Sequence, residues 1–133
     1  MLVSVVTPSY NQGHYIKQTI DSVLGQNYQD IELIVVDGGS TDDTLDVLKS
    51  IDDSRLTWIS EPDDGQSDAI NKGLKLSGGD ILTYLNSDDL LLPGCIETIV
   101  AYMNANPDVD LLYGDVQVIE ADGTPVHIQM GKP

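Results

Sequence analysis

Ile31-Glu32-Leu33-Ile34-Val35-Val36 is apolar at every position but one, and it gives way at once to Asp37-Gly38-Gly39-Ser40-Thr41-Asp42-Asp43. A short run rich in Val and Ile, almost without polar alternation, reads as a strand covered on both faces, as the strands of parallel sheets are. In the polar stretch behind it, Ser40 or Thr41 is placed to cap a helix whose positive end suits Asp42 and Asp43. Leu45, Leu48 and Ile51 give that helix an inner face.

The same alternation extends in both directions. Upstream, Leu2 to Val6 reads as a buried strand ending in the turn formers Thr7-Pro8-Ser9-Tyr10-Asn11. A helix follows from about His14, with Ile16, Ile20, Val23 and Leu24 on one face and Gly25 at its end. Downstream, Leu56 to Ile59 is a third strand and Ser60 to Gly65 a loop. Roughly Ser67 to Leu76 then reads as a helix with Ile70 and Leu74 on one side. Ile81-Leu82-Thr83-Tyr84-Leu85 is the fourth strand, and it stops in Asn86-Ser87-Asp88-Asp89. A helix over 94–104 carries Ile96, Ile99, Val100 and Met103 at helical spacing, and Val109 to Tyr113 is expected as a fifth strand. Val116–Ile119 and Val126–Ile128 flank Asp122-Gly123 as a β-hairpin. Residues 1–133 are therefore expected to form one α/β domain: a mainly parallel sheet, helices on both faces, and a C-terminal hairpin.

In an open parallel sheet, ligands bind beyond the carboxyl ends of the strands. Right-handed crossovers bring Thr7 to Asn11, Asp37 to Thr41 and Asn86 to Asp89 to one rim. Asp88 and Asp89 are adjacent carboxylates at a strand end, and oxygen ligands suit Mg²⁺ or Mn²⁺.

The charge narrows the chemistry. Six Lys and Arg stand against 22 Asp and Glu, a formal net charge of −16. Such a surface repels nucleic acid and anionic lipid. A bound diphosphate would meet only scattered basic residues, so a divalent cation is the expected counter-charge. The lone Cys95 makes no intrachain disulfide and, near a helix start, is expected to pack. The first residues lack the basic flank and cleavage site of a signal peptide, and no apolar run is long enough for a bilayer. A cytoplasmic protein is the expectation.

Several motifs are missing. There is no Walker A sequence, and Gly38-Gly39 lacks the spacing of a dinucleotide-binding loop. Gly65 and Gly123 lack the acidic ligands of an EF-hand, and His14 and His127 have no Cys partner nearby. A flavodoxin-like receiver would need an acidic pair where this chain has Thr7-Pro8-Ser9.

The motifs present are Val5-Val6-Thr7-Pro8-Ser9-Tyr10-Asn11, Ser22-Val23-Leu24-Gly25-Gln26, Glu32 to Asp42, Ala69-Ile70-Asn71-Lys72-Gly73, Gly79-Asp80 and Asn86-Ser87-Asp88-Asp89. In this order and spacing the chain resembles the family 2 glycosyltransferases, inverting enzymes of the GT-A (nucleotide-diphospho-sugar transferase-like) fold. The resemblance implies a nucleotide-sugar donor held by Pro8, Tyr10, Asp37, Asn71, Asn86, Ser87 and Asp88. Pro8 and Tyr10 would line the nucleobase pocket, and Asp37 would sit beside base and ribose. Ser87 and Asp88 stand at the family's Asp-x-Asp signature, with Asp88 as ligand to Mg²⁺ or Mn²⁺. The implied reaction is transfer of the sugar to a saccharide or lipid-linked acceptor, as in cell-surface polysaccharide synthesis.

The chain departs from the family at two positions. Gly38 stands where Asp is frequent, which removes a carboxylate able to read the base edge and leaves the nucleobase open. Asn86 replaces the first Asp of the signature. The family's general base lies downstream, in an acceptor-binding half for which this sequence has no room. The expectation is a donor-binding part, shortened before that half, with little transfer by itself. Any membrane contact, at the inner face, would then come through missing parts or partners. Two other readings are a degenerate, non-catalytic transferase domain that associates through its sheet edge, as a homo-oligomer or with another chain, and a nucleotidyltransferase. The latter would want a Gly-rich, basic first loop, unlike Thr7 to Asn11.

Overall fold

In the computed structural model, which describes residues 1–131, β1 (Val3–Ser9), β2 (Ile31–Asp37), β3 (Leu56–Ser60) and β4 (Ile81–Tyr84) form one parallel sheet. Their order is β3-β2-β1-β4. The chain builds outward from β1 to β3 and then returns to the other side of β1, so the strand order reverses between β1 and β4.

Both faces of this sheet are covered at β1 and β2, whereas Leu82 and Tyr84 of β4 are exposed. Ile34 and Val36 of β2 pack with Ile59 and with Ala69 of α3 (Gln66–Leu76). Val6 of β1 faces the same helix: a Cβ at Gly73 would lie 2.3 Å from Val6 Cγ1. The alternate residues Val5, Leu33 and Val35 point the other way and are equally buried. There α1 (Ile16–Leu24) packs over β2 and beside α2 (Thr44–Ser50). This is why β2 is apolar along almost its whole length.

The helices differ from expectation in two details. Neither Ser40 nor Thr41 caps α2, which begins only at Thr44. Ser40 is instead bonded to Asp37 and Asn11. The buried face of α3 is Ala69 and Gly73, with Ile70 and Leu74 only partly covered. Small residues let this helix lie close on the sheet, and larger ones take its flanks.

The chain divides into two compact units, the first ending at Val100 and the second beginning at Ala101. The first carries the sheet and α1 to α3. The helix α4 (Cys95–Ala105) buries Ile96 and Val100. In the second unit β5 (Val116–Ile119) and β6 (Pro125–Gln129) form the expected antiparallel hairpin, with an irregularity at Val118/Ile119. Its turn places Gly123 at φ 88°. The expected strand over Val109–Tyr113 is absent: the segment has no regular structure, and Leu111 and Tyr113 are exposed. Strand-forming side chains stabilise a strand only through cross-strand neighbours, and none pairs with this segment among the described residues.

Candidate functional site

Ser9, Asp37 and Ser60 lie side by side in register at the ends of β1, β2 and β3. The loops that follow therefore leave one rim together. The first two are interlocked. Asn11 adopts φ 52°, a left-handed conformation that Asn tolerates better than most residues. Its N–H donates to Ser40 Oγ at 2.8 Å, and its Oδ1 accepts from the N–H groups of Thr41 and Asp42.

Asp37 is fully buried. Its Oδ2 accepts from the Gly39 and Ser40 N–H groups and from Ser60 Oγ, while Oδ1 accepts from Ser40 Oγ. With both oxygens occupied, this carboxylate closes the β2 turn from beneath and ties it to β3.

On the other side of β1, the loop after β4 is held by α1. Thr19 Oγ1 donates to the Ser87 carbonyl, and Leu91 N–H donates to Ser22 Oγ. The buried Gln26 uses both ends of its amide. Nε2 donates to the Ser22 and Leu92 carbonyls, and Oε1 accepts from Ile96 N–H. Asn86 accepts from Gln66 and donates to Asp89 Oδ2. Asp88 is left exposed, its carboxylate engaging no donor among the described residues.

Between these loops lies a cleft of about 680 Å³, within the usual range for small-molecule sites. Five of the residues expected from sequence line it: Pro8, Tyr10, Asn86, Ser87 and Asp88. The other two do not. Asp37 lies beneath the wall, and Asn71 is exposed on α3, away from the sheet-facing Ala69 that lines the cleft. Ser9 and Gly38, in loops expected on this rim, and Gln12, Asp63, Gly65, Gln66 and Ala69, which sequence reasoning missed, complete the lining. Ser9 Oγ is buried without a partner. Asp63 gave only a turn signal; its place beside Gly38 depends on how β2 and β3 pair.

No Lys or Arg lines the cleft among the described residues. Lys72 is engaged by Glu61 and Asp68, which raise its pKa, Glu61 most strongly. Nor do three or more His, Cys, Asp or Glu side chains converge on a point among those residues. A protein cage for a metal is therefore not what this rim offers. A single free carboxylate suits a cation such as Mg²⁺, which keeps several waters and takes its other ligands from phosphate.

Residues 4–130 match glycosyl transferase family 2. The chain belongs to this family. An uncharacterized glycosyltransferase of Haemophilus influenzae is 34% identical over 130 residues, covering 96% of this chain and 52% of that protein. Glycosyltransferase GlyG of Streptococcus pneumoniae is 34% identical over 126 residues, covering 92% and 42%. The family 2 chain thus spans about half or less of these relatives. Among solved structures, the mannosyltransferase PcManGT of Pyrobaculum calidifontis, in complex with GDP-Man and Mn²⁺, superposes with a TM-score of 0.72 at 28% identity. It matches 89% of this chain and 35% of its own. S. aureus TarS 1-349, in complex with UDP-GlcNAc, also gives 0.72, at 25% identity, over 80% of this chain and 32% of its own. The parallel sheet flanked by helices and the closing hairpin are thus the GT-A architecture expected from sequence.

Proposed function

We propose that this chain holds the nucleotide-sugar donor of a metal-dependent glycosyltransferase. The observation that carries the reading is the composition of the cleft: Pro8, Tyr10, Ser87 and an unpaired Asp88 on one rim, without a basic side chain. Tyr10 is 59% exposed at the mouth, an aromatic face on which a base can stack. Asp88 would take one position on Mg²⁺ or Mn²⁺, and the diphosphate and water the rest. When bound, such a cation neutralises charge on the nucleoside-diphosphate leaving group. Asn86 and Ser87 would contact ribose or sugar hydroxyls. Asp37, through the turn it closes, fixes the wall beside the base. The reaction would be inverting transfer to a saccharide or lipid-linked acceptor. Its general base would come from outside residues 1–133, a reading the greater length of the relatives supports.

The test is calorimetric titration of the 133-residue chain with UDP and GDP, with and without Mn²⁺. Binding that requires the metal is expected, and failure of every nucleoside diphosphate to bind would defeat the reading. One observation favours a second role, association: Val116, Val126, Ile128 and Met130 of the hairpin unit are all more than half exposed. A monomer in light scattering would exclude it.

A further inference from the structure

Gly38 has no side chain, and a carboxylate stands where one would be. A Cβ built on Gly38 would lie 2.8 Å from Asp63 Oδ2 and 3.1 Å from Oδ1. Gly38 and Asp63 both line the cleft, on the β2–β3 side, whereas Asp88 follows β4. Gly38 follows β2, and two strand spacings of about 4.8 Å separate β2 from β4, so the carboxylate above Gly38 and Asp88 stand at strand ends roughly 10 Å apart, on opposite sides of β1.

The loop that carries Asp63 is fixed. Lys72 Nζ lies 3.0 Å from Glu61 Oε1 and 3.5 Å from the Pro62 carbonyl. Glu61 N–H donates to the Asp37 carbonyl, and Asp64 N–H to Asp68 Oδ2. Asp63 itself is anchored through one oxygen only: Oδ1 accepts from Gly65 N–H at 2.9 Å. Oδ2, above Gly38, engages no donor among the described residues.

We propose that Asp63 reads the nucleobase of the donor and selects a base whose ring nitrogen carries a hydrogen, as in uracil or guanine. The inference rests on the donor-binding reading: a diphosphate held at Asp88 puts the base at the far end of the cleft. An ionised carboxylate only accepts hydrogen bonds. Uracil N3–H and guanine N1–H would meet Oδ2 as donors. The unprotonated ring nitrogens of cytosine and adenine would meet it as a second acceptor. A hydrogen bond to a charged group contributes about 1.5–3 kcal/mol, roughly tenfold to a hundredfold in affinity.

The experiment titrates the 133-residue chain, in Mn²⁺, with UDP, GDP, CDP and ADP, and then with 3-methyl-UDP and 1-methyl-GDP. UDP or GDP should bind at least about tenfold tighter than CDP and ADP, and which of the two does so identifies the base. Methylating the ring nitrogen should abolish that advantage, a readout on the unaltered protein. In Asp63→Asn the carbonyl keeps the Gly65 bond while an NH₂ replaces Oδ2, so the preference should move toward CDP or ADP. Tight binding of CDP or ADP to the unaltered chain, or of the methylated nucleotides, would overturn the role of Asp63 and leave the donor site standing. Failure of all four diphosphates would remove both.

Discussion

Thr19 Oγ1 donates to the carbonyl oxygen of Ser87 at 2.9 Å, a buried bond between residues 68 positions apart. That carbonyl belongs to the peptide unit joining Ser87 to Asp88, so a helix hydroxyl sets the plane from which the free carboxylate departs. Thr19→Val keeps the shape but leaves a buried carbonyl unpaired. It should cost about 1–3 kcal/mol in urea denaturation and weaken Mn²⁺-dependent nucleotide binding. Thr19→Ser, which retains the hydroxyl, should restore most of that binding.

Asp88 should behave in the opposite manner. Its side chain is exposed and bonds to no other group among the described residues. Asp88→Asn is expected to leave stability within about 0.5 kcal/mol while removing the effect of Mn²⁺ on nucleoside-diphosphate affinity. Denaturation and calorimetry on one preparation would check both. Retained metal dependence would shift the cation to another carboxylate of the rim.

How far the residues foretold this site depends on what each side chain answers to. Strands β1 and β2 and helix α1 were legible because burial on both faces of a sheet, or along one stripe of a helix, leaves a local pattern in Ile31–Val36 or in Ile16, Ile20 and Val23. Pro8, Tyr10, Ser87 and Asp88 share a rim because parallel topology gathers strand ends. Asp63 and Gln26 were not legible as site residues. Asp63 matters through a missing side chain in another strand's loop, and Gln26 through main-chain groups of 92 and 96. The expected strand at 109–113 failed because apolar side chains do not supply a ladder partner.

Gly73 illustrates packing that propensity would misjudge. In an exposed helix, Gly→Ala gains roughly 1 kcal/mol. Here the added methyl would lie 2.3 Å from Val6 Cγ1 and 3.0 Å from Cγ2. Either Val6 leaves its rotamer or α3 lifts from β1, and overpacking of this kind costs about 1–3 kcal/mol. Gly73→Ala should therefore lower the urea midpoint. Because Gln66 and Ala69 of the same helix line the cleft, it should also weaken nucleotide binding. A raised midpoint would mean that the helix moves away at little cost.

Asp53 gives the fold a definite acid response. Arg55 Nε and Nη2 donate to its two oxygens at 3.1 and 2.8 Å, and Arg55 N–H adds a third bond. These bonds, the side-chain pair foremost, hold its pKa down from 3.8 to about 2. Since the folded pKa lies below the unfolded value, the unfolded chain binds more protons between the two. The stabilisation is complete above the unfolded pKa and is lost as pH falls through the folded one. The same Arg55 donates to the Leu24 carbonyl and to Gln29, so the pair braces the end of α1 against the approach to β3. Asp53→Asn should be less stable than the parent near pH 6, and urea denaturation at stepped pH should show the gap closing between about pH 4 and pH 2. A gap that persisted unchanged at the acid end would assign the loss to packing around Arg55 and not to the charge on Asp53.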